Sequence, residues 1–119
     1  MEVKENAIQD KSMRFAVRIV KLCRCIRNEK CEYELASQLL RSGTSIGANV
    51  SESRNAQSRN DFINKLNIAL KESDETAYWL ELLYKADVID KQGFDSIYKD
   101  CEELIKLLTC IIKTSKDVY

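Results

Sequence analysis

Residues Ala36 to Tyr84 read ASQLLRSGTSIGANVSESRNAQSRNDFINKLNIALKESDETAYWLELLY, and this stretch decides the fold. Apolar side chains recur every three or four positions on both sides of one polar interruption near Asn55 to Asn60. That period is the mark of amphipathic helices. Ala36, Leu39, Leu40, Gly43, Ile46, Gly47 and Val50 share one face, and the phase runs through both glycines, so one helix opens near Glu32 and continues past them. After the break, Ser58 with Asp61 three residues on forms an imperfect capping box. From there Phe62, Leu66, Ala69, Ser73, Ala77, Leu80 and Tyr84 carry a helix to about Lys85.

The same rhythm extends outward. Ile8, Phe15, Ile19, Leu22 and Ile26 define a first helix, predicted from Gln9 to Asn28. Asp90 can cap a fourth, whose Phe94, Ile97, Cys101, Leu104, Leu108 and Ile111 alternate three and four apart as in antiparallel bundle packing. The intervening breaks, at Asn28 to Cys31, Asn55 to Gln57 and Ala86 to Ile89, are short enough to make consecutive helices antiparallel neighbours. The expectation is an all-α, up-down-up-down four-helix bundle, one domain over residues 1–119.

Composition agrees. The chain has 119 residues, no proline and three glycines, as long uninterrupted helices require. No apolar run approaches the ~18 residues of a membrane span. The opening MEVKENAIQDK is polar, unlike a signal or transit peptide. The five cysteines (Cys23, Cys25, Cys31, Cys101, Cys110) are odd in number and point to different helix sides, so reduced thiols in a cytoplasmic protein are expected. With no histidine and no clustered thiolates, neither a metal site nor a cofactor is expected.

Three features bear on function. GTSIGANV could be a phosphate-cradling turn, but no strand precedes it and the Lys-Ser/Thr ending is missing. Close helix approach at Gly43 and Gly47 is the better reading. Between Lys11 and Asn28 lie six basic residues and no acid, and Lys11, Arg14, Arg18 and Lys21 span about 80° of one side. Arg14, Arg18, Lys21 and Arg24 are the candidate phosphate contacts. Acids elsewhere could complement them instead: Glu72 to Glu103 holds ten acids against three bases, and the whole chain balances 19 with 19. Third, Ile68, Tyr78, Trp79 and Leu82 point away from the core side of the third helix and are candidate oligomer contacts. Catalysis finds little support, since Glu72, Glu75, Arg41 and Glu52 read as paired surface charges. No membrane or small-molecule substrate is expected.

QLLRSGTSIGANVSES (Gln38 to Ser53), AQSRNDFINKLNIALKESDETAYWLELL (Ala56 to Leu83) and FAVRIVKL (Phe15 to Leu22) together resemble the small proteins encoded in intervening sequences of bacterial 23S rRNA genes. That group in turn is similar to the accessory variability proteins of diversity-generating retroelements, ring-like homopentamers that associate with a reverse transcriptase and nucleic acid. The resemblance implies a bacterial cytoplasmic four-helix bundle, a homopentamer, and contact with RNA or a nucleoprotein partner. It implies no known enzymatic activity. This chain departs from the accessory proteins, which are markedly basic. On the matching motif, Arg41, Ser45, Asn49 and Glu52 are expected to be interface or capping polar groups. A protein-interaction scaffold without nucleic acid is the alternative.

Overall fold

The computed structural model describes residues 2–117. Four helices follow one another: α1 (Glu2–Cys25), α2 (Tyr33–Ser53), α3 (Arg59–Lys85) and α4 (Lys91–Asp117), with no strand among the described residues. They form an antiparallel bundle in which α2 packs on α1, α3 on α2, α4 on α3, and α4 closes loosely onto α1. Helices α1 and α3 therefore stand at opposite corners, as do α2 and α4. The Cα atoms span 48 × 22 × 19 Å.

Local chemistry sets most boundaries. The Ser58 hydroxyl accepts from the Asp61 amide at 3.0 Å. The Asp61 carboxylate reaches back to the Gln57 amide at 3.2 Å, one residue beyond the usual partner. Asp90 caps α4 by accepting from the Gly93 amide at 2.7 Å. Helix α3 ends in a Schellman arrangement: the Val88 amide donates to the Leu83 carbonyl at 2.8 Å and Asp87 takes a left-handed φ of 63°.

The first helix differs from its expected bounds. It begins at Glu2 rather than Gln9, and Ile26–Lys30 form a π-helical turn before Cys31 reverses the chain with φ 58°. The wider turn keeps Ile26 buried while it opens the helix end.

Phe15, Ile19, Leu39, Ile46, Leu66, Leu80, Leu104, Leu108 and Ile111 form the centre of the core, each at most 2% exposed. Leu22, Leu40, Phe62, Ala77 and Phe94, expected inside, are half-buried against it. Tyr84, also expected inside, is half-buried and stacks on Phe94 at 4.7 Å. Leu83 is fully buried in its place, because the α3 core face is turned slightly toward α2.

Small hydroxyls line the inner seams: Ser12, Ser42, Ser53, Ser73, Thr76 and Ser115 are all buried. Most bond back to their own helix, as Ser73 does to the Ala69 carbonyl at 2.9 Å. Thr76 and Ser42 also meet across the α2–α3 seam at 2.9 Å. Gly43 and Gly47 do the same for α1 and α2, where Gly43 backs onto Ile19 and Gly47 onto Ser12.

Candidate interaction surface

The basic edge of α1 runs beside α4, and half of it meets acids there. Arg18 donates to the Asp100 carboxylate at 2.5 Å and to the Ser96 hydroxyl at 3.0 Å. Lys11 is paired with Glu103. Arg14 is paired within its own helix to Asp10, one turn earlier. All these groups are substantially exposed, so each pair contributes little to stability. Lys21 and Arg24 are exposed and form no ion pair among the described residues. The four candidate phosphate contacts thus divide into one tethered arginine (Arg18), one loosely paired arginine (Arg14) and two free cations.

The candidate oligomer residues divide as well. Tyr78 is 59% exposed, whereas Ile68, Trp79 and Leu82 are half-buried. Trp79 packs against the core and donates its indole N–H to Glu75 at 3.0 Å. Its ring meets the Tyr78 edge at 5.1 Å. Glu75 also accepts from Arg41, which bonds Glu72 at 3.3 Å. Further along, Ser45 and Asn49 donate to carbonyls one turn back, at 2.6 and 2.8 Å, and Glu52 pairs with Lys65 at 3.1 Å. Arg41, Ser45, Asn49 and Glu52 therefore make a polar rail between α2 and α3, and none caps a helix end.

Because Arg41 holds the carboxylate that holds the indole, Arg41→Ala is expected to free Trp79. Its emission should shift to the red and its quenching by acrylamide should rise. Stability should fall by about 1 kcal/mol, since Arg41 is half exposed in both lost pairs. Unchanged emission would show that packing alone fixes the ring.

A third surface was not anticipated. Met13, Val17 and Val20 are 65%, 45% and 37% exposed on the outer side of α1. Their four-then-three spacing could have shown a second apolar stripe opposite Phe15 and Ile19.

A cleft of about 560 Å³ lies at one end of the bundle between the π-helical turn and the α3–α4 connection. Leu22, Ile26, Val88 and Ile89 give it an apolar floor, with Cys25 and Glu29 at its rim. The Cys25 thiol donates to Glu29 at 2.7 Å, and that carboxylate raises the thiol pKa, the reverse of what a nucleophile needs. Cys23 and Cys101 are buried, and all five cysteines are free thiols. Among the described residues no three metal-ligating side chains cluster, and no helix is long and apolar enough to cross a membrane.

An all-α antiparallel bundle with long amphipathic helices and polar inter-helix rails is the class these features define. The profile of the 23S rRNA-intervening sequence proteins matches residues 4–110, and the chain belongs to that family. A solved structure from Bacteroides thetaiotaomicron VPI-5482, of a protein with unknown function from the S23 ribosomal protein family, is similar throughout. Its TM-score is 0.91 at 56% identity, and the match covers 92% of this chain and 98% of that one. No curated protein matches the chain.

Proposed function

We propose that this chain is a non-catalytic, self-associating bundle protein of the bacterial cytoplasm that associates with RNA or a nucleoprotein partner through the basic edge of α1. One observation carries this: among the described residues Lys21 and Arg24 stand exposed without ion pairs, and Arg14 beside them is held by an exposed intrahelical pair. A rigid helix bearing uncommitted cations suits phosphates, which attract charge without base-specific geometry. The family's name joins its members to 23S rRNA, and the Bacteroides relative is assigned to a ribosomal protein family. Assembly into a homopentamer would repeat the edge five times, so a weak single contact would gain by multivalency.

The test is a filter-retention series with RNA at increasing salt. Arg14→Glu combined with Lys21→Glu disturbs only one exposed pair. It should lower the slope of log affinity against log salt by roughly one per residue. Equal slopes for variant and wild type would reject the assignment. The second reading, a scaffold that binds only protein, draws on the engagement of Lys11 and Arg18 by α4 acids. It requires that wild-type retention be absent at every salt concentration.

A further inference from the structure

Two exposed apolar surfaces, on α1 and α3, face opposite ways. On α1, Met13, Val17 and Val20 lie within about 60° of one another, turned from the core. Half-buried Leu40 of α2 adjoins Val20. Exposed Arg24 falls on the same line, one turn beyond Val20, while Lys21 and Arg14 lie about 70° round toward α4. On α3, at the opposite corner, Tyr78 protrudes with Leu82 one turn on.

The flanks of the second surface are acidic. Asp74 is exposed one turn before Tyr78. The Tyr98 phenol of α4 donates to Glu81 at 2.9 Å, and Glu102 is near enough to add to its raised pKa. Asp74 and Glu102 act together on Cys101, below burial in effect. Two lysines share that face: Lys85 is drawn to Glu81 at 3.9 Å, and Lys71 lies nearly a turn before Asp74. Along α3 the first uncommitted charge before Tyr78 is thus negative, and the charge within the α1 stripe is positive.

We propose that the Met13–Val17–Val20 stripe of one copy seats on the Tyr78 face of α3 in a second copy, with Arg24 set against Asp74. One chain cannot join its own two surfaces, since α1 and α3 occupy opposite corners. A two-fold pairing of either surface with itself would leave the other uncovered, and one with its axis along the helices would also set Arg24 against Arg24, which is penalised as like charges across an interface. The contact is therefore heterologous, a head of one copy on the tail of the next. It rests on the self-association part of the reading above, and in the assembled state it takes Arg24 out of the phosphate-facing edge, which is then Arg14 and Lys21.

Two variants and their mixture test it, by light scattering over a concentration series with circular dichroism to check folding. Val17→Glu spoils only the α1 surface and Tyr78→Lys only the α3 surface, both at exposed positions. Each alone should weaken assembly roughly 30-fold or more, the size of a hot-spot loss. Mixed in equal amounts they should form dimers, because each supplies the surface the other lacks. Loss in one variant only, or a mixture that stays monomeric, would overturn the pairing while leaving self-association in place. A monomeric wild type would remove self-association itself.

Discussion

Replacing Gly43 by valine is expected to destabilise the bundle by about 3 kcal/mol, while Gly47→Ala should leave it unchanged or raise stability by up to about 1 kcal/mol. The two glycines lie one turn apart on the same helix, and an intrinsic helix penalty would treat them alike. Their surroundings do not. A Cβ at Gly43 would come within 2.8 Å of both γ-carbons of Ile19 and 3.2 Å of its Cβ. Ile19 is 0% exposed, and a β-branched side chain has no free rotamer to yield. At Gly47 the nearest atom is the Ser12 carbonyl oxygen at 3.4 Å, an ordinary contact. There the gain in helix propensity prevails.

Urea midpoints at constant m-value would measure both. The steric cause has its own signature in the alanine pair. Ile19→Ala alone should cost about 2–5 kcal/mol. Added to Gly43→Ala it should cost less than the sum, since it removes the atoms that clash. Strict additivity would mean that Gly43 is needed for some other reason.

These glycines also show how far a sequence can be read. Their place on the apolar face made close helix approach legible, but the difference between them depends on which α1 residue lies opposite, and no local pattern carries that. The same division holds elsewhere. Ser58 and Asp90 were readable as caps because a cap is a contact across three residues. The π-helical turn at Ile26–Lys30 was not, since its i→i+5 bonding leaves no periodic trace over a single turn. On α3 the period predicted Tyr84 inside, and the helix is rotated just enough to bury Leu83.

For the surface, the basic run on α1 was plain, but its freedom was not: Arg18 meets Asp100, 82 residues away. The period placed Trp79 away from the core side of α3, whereas its ring packs against the core. Its tether to Glu75 is local, yet Arg41, which fixes that carboxylate, comes from the neighbouring helix. The Met13–Val17–Val20 stripe was within reach of periodicity alone, but the stronger stripe of Phe15 and Ile19 on the same helix eclipsed it.

Stability should fall steeply at alkaline pH, beginning near pH 9 and continuing to about pH 12, by several kcal/mol in all. Two buried thiols cause it. Burial pushes Cys23 up to about 11 against a smaller opposing effect of Arg27. Burial, with Asp74 and Glu102 adding to it, pushes Cys101 up to about 12. In the unfolded chain both ionise near 9, the ordinary thiol value. Above that pH the unfolded state sheds protons that the folded state retains, so each further unit favours unfolding by up to about 1.4 kcal/mol per thiol. Below pH 9 both states hold the protons and these groups give no slope. A paired variant separates the thiols from every other group in the bundle. Cys101→Ala is expected to cost about 1 kcal/mol at pH 7 through a small cavity, yet to lose less than the wild type between pH 8 and 11. Urea unfolding under a reductant, at fixed ionic strength, would measure both. Parallel curves for the two proteins would show that the Cys101 thiol, donating to the Ser73 carbonyl at 3.4 Å, is as easily ionised inside the bundle as in water.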